Sequence, residues 1–316
     1  MSPASAPIVA GVLEGDVRSV ARAISLVEDD LPEAAGILKA LYPHAGRAQV
    51  LGVTGPPGAG KSTLVDRITA HLRKRGKTVG IVAVDPTSPF SGGAILGDRI
   101  RMQAHALDEG VFIRSMATRG HLGGLAAATQ HVLTVLAASG KDVLLVETVG
   151  VGQDEVEIVG TADVSVVVLV PGMGDEVQAL KAGIMEIADV FVVNKADREG
   201  VDRVVAEIES MLSLSAHDAH RPEIVQTVAT HDQGIDELMV AVESFRSRAE
   251  GAGLLARKRR SHLLRQLEET LEARLLRRVR QGVLTPEETE RIVDRLAARE
   301  TDPLTAAEEI LGRMGL

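Results

Sequence analysis

The sequence predicts an α/β fold: a doubly wound, mostly parallel sheet with helices on both faces, entered through a helical preface and left through a helical arm. Three observations predict it. Short runs rich in Val, Ile and Leu recur at 49–53, 78–84, 110–115, 142–147, 164–170, 190–193 and 224–228. Each is separated from the next by a stretch long enough for a helix, and strands joined by such crossovers run parallel. The first run leads into the glycine-rich stretch Gly55-Pro56-Pro57-Gly58-Ala59-Gly60-Lys61-Ser62-Thr63 and then the helix-like Leu64-Val65-Asp66-Arg67-Ile68. After Leu238 the strand signal stops, and Leu, Arg and Glu recur at helical spacing. The chain is therefore expected to comprise an N-terminal helical extension (1–47), a sheet-bearing domain (48–248) and a C-terminal helical arm (249–316), with Ala249-Glu250-Gly251-Ala252-Gly253 as a linker.

Composition agrees with this plan. The chain has 316 residues, 45% of them hydrophobic but only 2% aromatic, so its core must be aliphatic, as in buried parallel strands. Without cysteine there is no disulfide and no thiolate metal site, which points to a cytoplasmic protein. No secretory leader and no membrane span is expected. A net charge of −9 argues against nucleic acid as a partner.

Within the first 47 residues Val17, Val20, Ala21, Ile24 and Val27, and then Ile37, Leu38 and Leu41, recur every three or four residues, predicting helices broken at Pro32 and Pro43. The glycine-rich stretch then fits G-x-x-x-x-G-K-[ST] between a strand and a helix, the context that identifies a P-loop NTPase. Gly55, Gly58 and Gly60 allow backbone N–H groups to turn toward phosphate oxygens at a helix N-terminus. Lys61 is expected at the β- and γ-phosphates and Ser62 on Mg²⁺.

The base is specified further along. The run Val192-Val193-Asn194-Lys195-Ala196-Asp197 is a strand ending in N-K-x-D. Guanine presents a ring N–H and an exocyclic amine on one edge, and the Asp197 carboxylate can accept both, which selects GTP over ATP. Asn194 would hold the loop and Lys195 would cover the base, with Ala229, just past the last strand, among the nucleotide contacts.

Three acids are candidates for the magnesium shell. Asp85 and Glu147 end strands, and Asp98 sits in the glycine-punctuated segment Ser91–Arg99. As helix caps or turn residues they would have a purely structural role instead. In Glu147-Thr148-Val149-Gly150 the Gly150 N–H could meet the γ-phosphate. No Gln follows Gly150 directly, and Gln153 lies three residues on. Intrinsic hydrolysis is therefore expected to be slow and stimulated by a partner. The loop after 164–170, from Pro171 to Lys181, reads either as a mobile loop or as an ordinary strand-to-helix connection.

In the arm, leucines 263, 264, 267, 271, 275 and 276 form one stripe that would pack either on the arm's own domain or on a second copy. Thr285, Pro286 and Glu288 read as a capping box.

Several segments together resemble one family: T-G-P-P-G-A-G-K-S-T, A-V-D-P-T-S-P, S-G-G-A-I-L-G-D-R-I-R-M, E-T-V-G-V-G-Q, P-G-M-G-D-E-V-Q-A-L-K-A-G and V-V-N-K-A-D, in that order. They are similar to the MeaB/ArgK-type GTPases, chaperones of adenosylcobalamin-dependent acyl-CoA mutases. The resemblance implies a GTPase of the SIMIBI class that gates cofactor loading of methylmalonyl-CoA mutase or a relative and protects or reactivates it. It implies Asp85, Asp98 and Glu147 as magnesium-site acids, with Lys61, Asp98, Arg101 and Glu147 around the transferring phosphate. It also implies a switch III containing Asp175, Gln178 and Lys181, and a homodimer formed through the C-terminal helices. Two other readings share the motifs. A nickel-type metallochaperone GTPase would be expected to carry Cys or clustered His, and an arginine or ornithine kinase would need a phosphoacceptor site.

Overall fold

The computed structural model describes residues 5–85, 105, 107–117, 124–148, 162–172, 187–214 and 221–314. Its elements follow in order: α1 (Ala6–Leu13), α2 (Val17–Glu28), α3 (Ala34–Leu41), a 3-10 turn (Tyr42–His44), β1 (Gln49–Thr54), α4 (Lys61–Lys74), β2 (Val79–Asp85) and β3 (Val111–Ala117). Then come α5 (Gly124–Ala138), β4 (Val143–Thr148), β5 (Val164–Leu169), β6 (Val190–Asn194), α6 (Val201–Leu214), β7 (Glu223–Thr227) and a 3-10 turn (Ala229–His231). The chain closes with α7 (Ile235–Gly251), α8 (Leu254–Gly282), α9 (Pro286–Ala297) and α10 (Pro303–Arg313). By contacts the chain separates into two units, residues 1–261 and residues 262–316.

In the first unit, the described strands form one seven-stranded sheet in the order β3-β2-β4-β1-β5-β6-β7, with every pairing parallel. Alternation explains both faces. Leu51, Val53, Ile81, Leu145, Val166, Val168 and Val192 point to one side, where α4, α7 and Leu255 of α8 cover them. On the other side Val82, Val84, Leu144 and Val146 meet α5 and the three N-terminal helices. Farther along that face Val167, Leu169, Phe191 and Val193 meet α6. Every residue of β4, β5 and β6 is buried, so these strands read as continuous apolar runs rather than alternating ones.

The N-terminal helices share a hydrophobic cluster with the sheet. α2 buries Val20, Ala23, Ile24 and Val27, and its last residue, Glu28, forms an ion pair with Arg114 of β3 while only 4% exposed. Truncating a fully buried branched side chain such as Ile24 to alanine would remove about 2–5 kcal/mol.

Four aspartates stitch the foot of the sheet, its amino-terminal edge. Asp142, directly before β4, accepts the Thr78 N–H at 2.7 Å. Asp163, before β5, accepts the Val50 N–H of β1 at 3.0 Å. Asp189, before β6, accepts the Ser165 N–H of β5 at 2.9 Å. Asp108, ahead of β3, accepts the Gly110 N–H at 2.8 Å and both arms of the Arg73 guanidinium. The first turns of α8 supply two of the counter-charges. Lys258 Nζ lies 2.6 and 2.7 Å from the Asp189 carboxylate, and Arg259 Nε lies 2.8 Å from Asp163 Oδ1.

The stretch 249–253, expected to be a linker, is helical through Gly251, and Ala249 is buried. Ala and Glu favour helix, and the break falls at Gly253, whose φ of 66° ends one helix before α8 begins.

In the second unit the remainder of α8 is joined by α9 and α10. Thr285 caps α9 by accepting the Glu288 N–H at 3.3 Å, but the Glu288 side chain does not return to close a capping box. It pairs instead with Arg313 at 2.5 Å and Arg291 at 3.0 Å, charge-assisted bonds stronger than one to a backbone amide. The leucine stripe at 263, 264, 267, 271, 275 and 276 is 40–57% exposed. No helix among the described residues is long and apolar enough to cross a membrane.

Candidate functional site

The carboxyl-terminal edge of the sheet carries the glycine-rich loop, and two of its glycines are dictated by close approach. Gly55, immediately after β1, has φ 140°, and a Cβ there would lie 2.1 Å from the Val168 carbonyl oxygen in β5. Gly60, the N-cap of α4, has φ 88°, and a Cβ there would lie 2.5 Å from Asn194 Nδ2. The loop is thus pressed against β5 on one side and the end of β6 on the other. α4 starts at Lys61, so the N–H groups of its first turn and its positive dipole end face the loop. Pro56 and Ala59 are buried, Pro57 and Gly58 are exposed, and Thr63 is half-buried in the first turn of α4.

Two cations cross this loop. Lys61, 6% exposed, donates from Nζ to the Gly55 carbonyl at 2.7 Å and the Pro56 carbonyl at 3.0 Å. Lys195, in the turn after β6 with φ 58°, donates to the Gly58 carbonyl at 2.7 Å. Two ammonium groups and a helix N-terminus around a glycine loop make an anion site, fitted to phosphate oxygens.

Beside the loop, β4 lies next to β1, with Val53 opposite Glu147. Ser62 Oγ donates to Glu147 Oε1 at 2.6 Å, and both residues are buried. Thr148, pointing to the opposite face, donates to the Thr54 hydroxyl at 2.9 Å, closing the tops of β1 and β4 together. Asp85 is the last residue of β2, one step beyond the Val84–Thr148 pair, so its backbone lies on the same edge.

The base side is assembled around Asn194, the last residue of β6, which is 2% exposed. Its Nδ2 donates to the Ala59 carbonyl at 2.8 Å. Its Oδ1 accepts the Thr227 hydroxyl at 3.0 Å and the Ala229 N–H at 3.2 Å. Phosphate loop, N-K-x-D turn and the segment after β7 are therefore joined through one side chain. Asp197 is exposed on the turn that follows.

The structure thus brings together Gly55 through Thr63, Glu147, Asn194, Lys195, Asp197 and Ala229 at one edge. Asp98, Arg101, Gly150, Asp175, Gln178 and Lys181 lie outside the described residues. Sequence reasoning missed Thr54, Thr148 and Thr227. A threonine at a strand end carries no signal by itself, because its partner is a strand away in space and 33 or 94 residues away in the chain.

An all-parallel sheet with a phosphate loop after its first strand and an N-K-x-D turn after its sixth defines a P-loop GTPase. Comparison with known proteins makes this specific. Residues 20–283 match the family model described as methylmalonyl-CoA mutase-associated GTPase MeaB, and the chain belongs to that family. It is 50% identical over 302 residues to a putative GTPase of Pyrococcus abyssi, covering 94% of this chain and 93% of that one. It is 36% identical over 272 residues to the GTPase ArgK of Escherichia coli, covering 83% and 82%. A crystal structure described as an LAO/AO transport system kinase superposes with a TM-score of 0.72 at 26% identity, covering 100% of this chain and 99% of that chain. The chain is accordingly a GTPase that binds guanine nucleotide, in a family associated with methylmalonyl-CoA mutase.

Proposed function

We propose that this GTPase is a chaperone of an adenosylcobalamin-dependent acyl-CoA mutase, methylmalonyl-CoA mutase or a relative, and that its nucleotide state gates cofactor loading and protects or reactivates the mutase. The observation that carries the proposal is the family match, which spans the whole sheet and all of α8. The protein would act in the cytoplasm, as a homodimer joined through its C-terminal helices, without nucleic acid or membrane. The exposed leucine stripe of α8 supports the dimer, since apolar side chains every three or four residues suit a facing helix.

Mg²⁺ fits the site. The buried pair Ser62 Oγ and Glu147 Oε1, 2.6 Å apart at the mouth of the loop, offers the oxygen donors a hard cation takes. Ser62 and Glu147, with Asp85 and Asp98 as further candidates, would hold the ion, which when bound supplies charge neutralisation to the phosphates. Lys61 would leave the Gly55 and Pro56 carbonyls for phosphate oxygens and stabilise their charge. Asn194 keeps the loop and the base turn in register, and Asp197 accepts the two donors of guanine. Transfer of the terminal phosphoryl group goes to water, with positioning and electrostatics as the main contributions.

The test is co-purification with methylmalonyl-CoA mutase in the presence of GDP or a non-hydrolysable GTP analogue. The proposal expects a stable complex whose cofactor uptake differs between the two nucleotides. Identical uptake with both, or no complex with any acyl-CoA mutase, would overturn it. Because the structural relative is described as an LAO/AO transport system kinase, the same reaction mixtures are assayed with arginine and ornithine. Formation of a phosphorylated amino acid would show that arginine or ornithine, in place of water, accepts the phosphoryl group.

A further inference from the structure

Two cations of the first unit meet at Gly110, in the turn that enters β3 at the foot of the sheet. A Cβ at Gly110 would run into the Arg73 guanidinium, and the Gly110 carbonyl lies 3.5 Å from Lys141 Nζ, at the outer limit of a hydrogen bond. Lys141 stands in the connection between α5 and β4, half-buried, directly after Gly140 with its φ of 84°. Both nearby carboxylates are already engaged. Asp108 receives the Arg73 guanidinium at 2.8 and 2.9 Å and the Gly110 N–H at 2.8 Å, and one oxygen of Asp142 receives the Thr78 N–H and hydroxyl. Among the described residues Lys141 forms no ion pair. We propose that Lys141 is a modification site, a nucleophilic amine that takes an acyl group from acyl-CoA thioesters.

Burial first, and then the Arg73 charge, hold the Lys141 ammonium below the ordinary lysine value, while Asp108 and Asp142 oppose the shift more weakly. More of this amine is therefore uncharged near neutral pH, and an amine desolvated beside another cation is an activated nucleophile. Its lone pair attacks the thioester carbonyl carbon. A C–N bond forms, the C–S bond breaks, CoA leaves as the thiolate, and the surplus proton on nitrogen passes to water. An imine-forming carbonyl would need an acid to expel water, and Asp108 and Asp142 are both occupied, whereas a thioester carries its own leaving group. The amide product is neutral, so the like-charge opposition to Arg73 ends. Other lysines are placed differently: Lys61 and Lys195 donate to the phosphate loop, Lys258 pairs with Asp189, and Lys39, Lys74 and Lys77 are exposed. Arg73 is near the end of α4, whose first residue is Lys61, so this site lies at the other end of that helix from the phosphate loop and does not depend on the mutase reading.

The full-length protein is incubated with acetyl-CoA between about pH 6.5 and about pH 9.5, and acetylation of each lysine is followed by peptide mass spectrometry. The expected result at about pH 7.5 is acetylation of Lys141 at least about fivefold faster than of Lys39, Lys74 and Lys77, with its rate levelling off at a lower pH than theirs. Arg73→Gln removes the neighbouring cation and frees Asp108 to pair with Lys141, so it should slow acetylation of Lys141 at least about threefold and leave that of Lys39 unchanged. Should circular dichroism show that this variant does not fold, the rates and pH profile of the unmodified protein decide alone. Acetylation of Lys141 no faster than of the exposed lysines, a pH profile the same as theirs, or an unchanged rate in folded Arg73→Gln would overturn the proposal.

Discussion

The two edges of the sheet use the same kind of residue in different ways. At the foot, Asp163 and Asp189 each accept a backbone N–H from the neighbouring strand and meet a cation from α8, so their charge is met twice over. At the carboxyl edge Glu147 is just as buried, yet the partner facing its Oε1 is the neutral Ser62 hydroxyl. A buried carboxylate placed against a cation and an amide closes a structure. One that accepts a hydroxyl beside a glycine loop and a helix N-terminus sets its oxygens where a ligand cation can use them. The cations differ in the same way. Lys258 and Arg259 are spent on aspartates, whereas the contacts of Lys61 and Lys195 described above are to carbonyl oxygens of the loop, weaker partners that phosphate can displace.

Substitutions can break this contrast, and the largest effect is expected at the loop. Lys61→Ala should weaken GTP binding at least about 100-fold by calorimetry while the melting temperature moves little, since the lysine's charge serves the ligand. Next comes Asp197→Asn, which should shift preference from guanine toward xanthine nucleotides by about tenfold or more in competition binding. At the foot the readout is reversed. Asp163→Ala strands the Val50 N–H and Arg259, and should cost about 2 kcal/mol in denaturant unfolding with GTP turnover preserved.

The smallest effect is a pH dependence. The Thr78 N–H holds the Asp142 carboxyl below its ordinary value, and the Arg73 guanidinium does the same for Asp108. A carboxyl whose folded pKa is depressed stabilises the fold above its unfolded value, near ~4, and loses that contribution as pH falls through the lower folded value. On top of a decline that begins below about pH 6.5, because burial lowers the pKa of His71 and His131, the contribution of these two carboxyls to the unfolding midpoint should therefore be constant from about pH 7 to pH 5 and fall below about pH 4. Asp142→Asn should lessen the fall below that point, as followed by circular dichroism.

Much of this contrast was legible in the sequence where the chemistry is contiguous. The P-loop and N-K-x-D each place their residues within one turn, so spacing alone located Lys61, Ser62, Asn194 and Asp197. The strands were visible because their runs are mostly apolar, those of β4, β5 and β6 being buried throughout, with ends misplaced by a residue or two. That Ser62 and Glu147 meet followed only in part, from each residue lying at the end or start of an element. The foot was not legible. Asp163 and Val50 are 113 residues apart and Asp142 and Thr78 are 64 apart, and an aspartate ahead of a strand reads equally well as a turn residue. Thr227 was missed for the same reason: its meaning lies in Asn194, one strand away. In the arm the apolar stripe was legible as a stripe, while its exposure is a property of the fold alone.

The most direct measurement of the central claim, that the two edges divide function from structure, is steady-state GTP hydrolysis by Glu147→Gln and Asp163→Asn side by side. Both changes remove one buried charge and keep the side-chain shape. Glu147→Gln is predicted to lower turnover about 100-fold or more, and Asp163→Asn to leave it within about twofold of the unmodified protein. Equal turnover in the two variants, or a larger loss in Asp163→Asn, would contradict the account.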